Sequence, residues 1–277
     1  MLKIKVEGFC PVDIEEIYIS EGLDTHYHLK GDYTVEIVDG NKTIYITDFA
    51  GTQCVGKLPK NHTLVLEGNK IVYAKENLTT SRLYYDPPDG LRKRTTYDEF
   101  FAAIHKAVKL RCTPNSWIAM SSGDDSGSIV ASVLSQKLPF RSTITVKANE
   151  DMRVVDKRLS LTKGLLIDKW NENREAHEVV AHNIKRFGGR VLLSGLGSDE
   201  YLETMDYHLA STFIERTQHF YHDRNIQVRY PLLDPNVFFM YHALDPRLKG
   251  DKKPLKKFLQ SLGFPYRKRE KIPFYLN

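Results

Sequence analysis

The 277-residue chain has only three cysteines, Cys10, Cys54 and Cys112. They are widely spaced, form no C-x-x-C pair and have no histidine run beside them, which removes a zinc knuckle, a dithiol redox motif and a disulfide framework from consideration. Buried free thiols are what remains. Long apolar runs are lacking as well. No segment approaches the roughly 20 apolar residues that cross a bilayer, and MLKIKVEGF is too short and too charged for a secretory signal, so a cytoplasmic location is expected. Charge of one sign is scarce overall, because 40 Lys and Arg against 35 Asp and Glu leave a formal net charge of +5. The basic residues nevertheless gather between Arg247 and Lys271, where they predict an anionic ligand. With 41% hydrophobic and 27% charged residues, the composition is that of a globular protein with room for two modest domains or one large one.

Residues 2 to 75 alternate short β-rich runs with turn chemistry: LKIKVEGF, YTVEIVDGNKTIYITDF and HTLVLEGNKIVYAKE. Asp39-Gly40-Asn41 and Glu67-Gly68-Asn69 lie between alternating stretches, which predicts two hairpins and an antiparallel sheet. Pro87-Pro88-Asp89-Gly90 and the basic run Leu91 to Arg94 mark a boundary, dividing the chain into residues 1–90 and 91–277. Thr96 with Glu99 three residues on reads as a capping box, and Phe100, Ile104 and Val108 recur at helical spacing, predicting a helix over 97–111. Downstream, a strand near Ser142 to Val146, a helix from Glu175 to Arg186 ended by Gly188, and a strand from Arg190 to Leu193 predict a parallel sheet with right-handed crossovers.

Two strand-loop-helix passages carry the chemistry. In the first, SWIAM runs into Ser121, Ser122, Gly123, Asp124, Asp125 and Ser126. Such a run is either a solvated turn or a loop whose small residues let backbone N–H groups crowd round a phosphate at a helix N-terminus. It is not a Walker A, which needs G-x-x-x-x-G-K-[ST]. In the second, RVLL leads into Ser194, Gly195, Leu196, Gly197, Ser198, Asp199 and Glu200. In an open α/β sheet, ligands lie beyond the carboxyl ends of the strands, so two such loops can face one site. Asp125 and Asp199 then become partners for Mg²⁺, which prefers one or two carboxylates plus substrate phosphates. Taken alone, Asp199 reads first as a helix N-terminal carboxylate complementing the dipole.

The first loop resembles the S-G-G-x-D-S loop of the ATP pyrophosphatase (PP-loop) superfamily, with Ser122 where a glycine usually stands. Together the two loops resemble the asparagine synthetase and β-lactam synthetase family, in which S-G-E-G-[SA]-D-E follows downstream. Val228 to Asp234 is similar to that family's R-x-P-F-L-D, and Leu244 to Lys249 to the stretch that follows it. Lys253-Pro254-Leu255-Lys256-Lys257 resembles K-x-x-L-R-K, and Arg269 to Phe274 resembles R-x-K-x-x-F. The likeness runs from about residue 95 to the end of the chain. The passage LKGDYTVEIVDGNKTIYITDFAG is similar to the middle of the family's glutamine-hydrolysing domain, an Ntn hydrolase that uses an N-terminal cysteine. This chain starts Met1-Leu2-Lys3, so the expectation is a truncated remnant that does not make ammonia. Between Val146 and Glu175 the family has room for another strand and helix carrying substrate contacts, where a short polar stretch around Lys163 to Asn173 is expected here, so substrate identity is not carried across.

The resemblance implies an ATP-dependent, AMP- and pyrophosphate-forming amide ligase. A PP-loop synthetase domain would follow a small antiparallel β domain. Ser121, Ser122, Gly123, Asp124 and Ser126, with Gly195, Gly197 and Ser198, would hold ATP; Asp125 and Asp199 would hold Mg²⁺; Lys271 would be the catalytic lysine. Its alternative is a surface lysine in a basic tail. Leu196 replaces the family's Glu or Tyr and can neither accept a proton nor hydrogen-bond, so either the base lies elsewhere, the amine arrives neutral, or the second half-reaction differs, and amidation of a carboxylate other than that of asparagine synthesis is expected. Two other readings stay open: a non-catalytic pseudo-synthetase, and a PP-loop enzyme that modifies a nucleic acid.

Overall fold

A computed structural model of the chain describes residues 2–9, 14, 18, 32–47, 62–67, 70–76, 94–147, 150–162, 164–168, 175–196, 198–202 and 207–267. The chain divides into two compact units, Met1–Leu91 and Arg92–Asn277.

The first unit is an antiparallel meander of β1 (Lys3–Phe9), β2 (Asp32–Asp39), β3 (Lys42–Thr47), β4 (His62–Glu67) and β5 (Lys70–Glu76), paired in chain order. Both expected hairpins are present. Asp39 faces Lys42 across the first, with Gly40 at φ 62°, the left-handed backbone that a two-residue turn requires. Glu67 faces Lys70 across the second. The period of two puts Val35 opposite Ile46, and Ile37 opposite Ile44, which faces Val65 in turn. These five side chains bury one sheet face together with Ile14.

The second unit is α/β. Its parallel sheet has the order β10-β9-β6-β7-β8, from β6 (Ser116–Ala119), β7 (Ser142–Val146), β8 (Leu165–Ile167), β9 (Val191–Leu193) and β10 (Gln227–Arg229). The chain starts in the middle at β6, winds outward through β7 and β8, then returns to the other side of β6 for β9 and β10. The order therefore reverses between β6 and β9, and loops leaving those two strands part there, opening a crevice. The helices are α1 (Asp98–Arg111), α2 (Asp124–Ser135), α3 (Met152–Thr162), α4 (Ala176–Arg186), α5 (Ser198–Leu202), α6 (Tyr207–His222), α7 (Pro235–Ala243) and α8 (Lys253–Ser261). None of the described helices is long and apolar enough to cross a membrane.

Two expectations are corrected. The capping box at α1 does not form: Tyr97 is the N-cap, Thr96 donates to Asp98 at 2.9 Å, and Glu99 pairs with Arg94. Arg94 is pinned by backbone bonds to Ala243 and Asp245, which hold its guanidinium where it outcompetes the cap. The stretch between Val146 and Glu175 is not merely a short polar connection, because it contains α3 and β8. Val154, Val155, Arg158 and Thr162 bury one face of α3, and three-residue β8 completes the sheet edge against β7. A strand that short leaves no periodic trace.

The segment that resembles R-x-P-F-L-D makes a 3₁₀ turn at Pro231–Leu233 and ends in Asp234. Asp234 caps α7 through the Asn236 amide and receives the Arg111 guanidinium at 2.8 Å, an ion pair buried on both sides. Cys112 is a free thiol donating to the Pro139 carbonyl, and burial pushes it up to about 11, leaving it protonated and inert. Cys10 and Cys54 lie outside the described residues.

Between α4 and α6, His177 Nδ1 lies 2.9 Å from the Tyr221 hydroxyl, and burial lowers the imidazole from 6.5 to about 4. A base whose folded pKa is depressed stabilises the fold above its unfolded value and loses that stabilisation as pH falls through the window from 6.5 to 4. His177→Gln should therefore flatten the decline in melting temperature between pH 7 and pH 5. An unchanged slope in the variant would show that His177 is not a source of acid sensitivity.

Candidate functional site

The crevice is built from the two loops named by the sequence. Strand β6 ends at Ala119, and Ser121-Ser122-Gly123 turn the chain into α2 with Gly123 as N-cap. The loop is braced by its own hydroxyls. The Ser121 amide donates to Ser126 Oγ at 3.0 Å, the two hydroxyls lie 2.8 Å apart, and the Gly123 amide donates to Ser121 Oγ at 3.0 Å. Ser121 and Ser126 thus shape the loop first. Ser122 is fully buried, and its amide donates to Glu150 Oε2 at 2.7 Å. Its hydroxyl also donates to Glu150, and Arg267 donates to that hydroxyl from the other side. A side-chain carboxylate therefore sits on the amide that the sequence assigns to a phosphate.

Beneath the loop lies a residue that sequence reasoning missed. Arg158 of α3 is fully buried and donates to the carbonyls of Ser121, Gly123 (2.8 Å) and Pro265 (3.0 Å), while Phe264 lies 5.3 Å from its guanidinium. A Cβ on Gly127 of α2 would lie 2.4 Å from Arg158 Nη2, so the glycine inside that helix admits the guanidinium. Burial lowers Arg158 to about 10, still charged near neutrality.

The second loop leaves β9 and presses on the first. A Cβ on Gly195 would lie 3.0 Å from Asp125 Cβ and 3.1 Å from the Ser126 amide nitrogen, so glycine is what lets the two loops touch. Ser198 donates its hydroxyl back to the Gly195 carbonyl at 2.8 Å, and the Leu196 amide donates to Ser194 Oγ at 3.2 Å. This apposition brings Asp125 and Asp199 together. Both carboxylates meet the ammonium of Lys252, at 2.7 and 2.6 Å. Lys252 lies in the basic run marked from sequence but was not singled out, because the motif taken there begins one position later at Lys253; Pro254, fixing the start of α8, was the available signal.

The electrostatics follow from crowding. Burial and then the Asp125 charge raise Asp199 to about 7, against the pull of Lys252. Burial also acts to raise Asp125, but the Lys252 ammonium outweighs it and the net shift is downward. Asp124 is buried in the first turn of α2 and raised, first by burial and then by Asp125. Among the described residues, Asp125 Oδ1 and Asp124 Oδ1 are buried without a hydrogen-bond partner. No group of three or more His, Cys, Asp or Glu gathers among the described residues, so the acidic ligands on offer are the pair. Two hard carboxylates, one with an unsatisfied oxygen, fit a small dication whose other ligands come from phosphate and water.

Neither protein-family models nor curated proteins match this chain. The site stands on its geometry.

Gly197 and Lys271 lie outside the described residues. Of the described members of the basic run, three are tied to nearby groups: Arg247 pairs with Asp245 at 3.0 Å, while Lys249 and Lys253 donate to the carbonyls of His242 and Arg247 at 2.7 Å. Among its described residues, Lys252 turns toward Asp125 and Asp199, and Arg267 toward the Ser122 hydroxyl.

Glu150 supplies a test of the first loop. A carboxylate on the Ser122 amide competes with, and repels, an incoming phosphate, so Glu150→Gln should tighten binding of ATP or pyrophosphate about tenfold, roughly 1.4 kcal/mol. Calorimetric titration of both proteins would check this. Weaker binding in the variant would mean that Glu150 instead holds Ser122 in a binding geometry.

Proposed function

We propose that the parallel-sheet unit binds ATP across the two loops and acts as an AMP- and pyrophosphate-forming ligase of asparagine synthetase type. On this reading the unit is a PP-loop synthetase domain, and the antiparallel unit is a truncated Ntn-hydrolase-like remnant. The observation that carries the reading is the convergence of Asp125 and Asp199, 74 positions apart in the chain, on one cation at the switch point of the sheet.

The chemistry has two steps. A substrate carboxylate oxygen attacks the α-phosphorus of ATP, the bond to the β-phosphate oxygen breaks, and pyrophosphate leaves with the electron pair. An amine then attacks the acyl carbon, AMP leaves and the amine proton passes to a base. The N-terminal end of α2 and the hydroxyls of Ser121 and Ser126 face developing charge on the phosphates, with Arg158 keeping the loop rigid beneath them. Asp125 and Asp199 would hold magnesium, which when bound neutralises triphosphate charge. Leu196 cannot take the amine proton. The amine must arrive neutral or lose its proton to another group.

The test is a panel of carboxylates and amines with magnesium and α-labelled ATP, scored for AMP and pyrophosphate. Acceptor-dependent AMP establishes the ligase. A second reading, a binding protein without turnover, is favoured by one specific feature: Glu150 and the loop's own hydroxyls occupy the amides of Ser121, Ser122 and Gly123. Magnesium-dependent ATP binding without AMP for any acceptor would support that reading. Neither binding nor AMP would sink both.

A further inference from the structure

We propose that Lys252 is a tethered counter-ion of the Asp125–Asp199 pair, which keeps divalent cations out until a polyphosphate arrives and so makes metal and nucleotide bind together. The proposal rests on the reading of these aspartates as a magnesium site, and not on what chemistry follows.

The ammonium lies 2.7 Å from one carboxylate and 2.6 Å from the other, within reach of what a shared cation would coordinate. Its place is imposed by the backbone. Gly250, Asp251 and Lys252 adopt φ of 88°, 48° and 54°, three consecutive left-handed residues, two of which carry side chains that disfavour that region. The Lys253 amide closes this turn on the Gly250 carbonyl at 2.8 Å, and Pro254 starts α8 immediately beyond. The side chain is thereby aimed from the start of α8 across the crevice, and Asp199, Lys252, Ser198, Leu202, Tyr241 and Leu255 line a small hollow there.

Charge accounting gives the consequence. With both carboxylates ionised, as a bound cation requires, the two of them and one ammonium leave a single net negative charge. A dication added to this set would put three positive charges against two negative, with the two cations repelling at close range. Metal alone therefore has to evict Lys252, whose charge would lose both partners. A triphosphate reverses the balance, since its oxygens give the ammonium new partners while the dication takes the carboxylates. Asp125 Oδ1, buried and without a hydrogen-bond partner among the described residues, is the oxygen that Lys252 leaves unsatisfied and a metal would claim.

The probe is Mn²⁺ alone, followed by electron paramagnetic resonance, on the full chain. Wild type and Lys252→Arg should bind Mn²⁺ weakly without nucleotide, and adding ATP should bring binding up in wild type. Lys252→Met should bind Mn²⁺ alone at least tenfold more tightly, and adding Asp199→Asn to it should abolish the gain. Should Lys252→Met unfold through carboxylate repulsion, its melting temperature should rise with Mn²⁺ while that of wild type stays put. Equal Mn²⁺ affinity in wild type and Lys252→Met, or no Mn²⁺-dependent melting shift in the variant, overturns the proposal. A gain in Lys252→Met from a protein that never forms AMP leaves the counter-ion standing and removes the ligase. AMP formation with no gain does the reverse.

Discussion

Asp125→Asn should lower magnesium-dependent pyrophosphate release by about a thousandfold, and Asp199→Asn by a similar factor, because each removes one of the two charges available to hold the metal. Neither variant should much affect the empty protein. The Asp125 side chain is 17% exposed and sits in the first turn of α2, whereas that of Asp199 is 45% exposed on a short helix. In either variant Lys252 keeps one carboxylate, and asparagine has nearly the shape of aspartate, so melting temperatures should move little. The measurement is pyrophosphate release over a magnesium titration, with thermal melting alongside. Near-native rates with unchanged magnesium dependence in either variant would mean that the pair is not the metal site.

Arg158→Ala should produce the largest loss of stability of any single change near the crevice, about 3–5 kcal/mol, since it strands buried carbonyls and opens a cavity. Two of those carbonyls, of Ser121 and Gly123, belong to the loop after β6, and the third belongs to Pro265 near the end of the described chain. For a unit of this size that cost corresponds to a melting temperature lower by about 10 °C. Binding of ATP should weaken as well, because the loop loses the group that orients its peptide planes. Arg158→Lys should recover only part of both, since an ammonium cannot span three carbonyls in separate directions as the planar guanidinium does. A change within half a kcal/mol for Arg158→Ala, measured by urea denaturation, would contradict the bracing role.

Much of the fold was legible because its signals are local. The Gly40 turn, the alternation of Val35 with Ile37 and of Ile44 with Ile46, and the β6 and β9 strand-loop-helix passages each lie within a few consecutive residues. Gly188 ends α4 at φ 71°, as a helix-terminating glycine does. Even the pairing of Asp125 with Asp199 was readable, since two loops after parallel strands at a switch point have few other places to go. What the sequence could not disclose are the partners chosen at long range. Glu150 reaches Ser122 over 28 positions, Arg158 reaches Ser121 over 37, and Lys252 reaches Asp125 over 127. The same holds at α1, where Arg94, held by the segment around Ala243, took Glu99 away from a capping box that local pattern alone favoured.

The sequence by itself determined the two units, the parallel sheet and the two carboxylates that meet at its crevice, because periodicity and turn chemistry are properties of neighbouring residues. Only the tertiary structure decided which cations and carboxylates complete the site. A buried charge takes its partner from whatever the packed chain brings within about 3 Å, and that distance is unrelated to separation along the sequence.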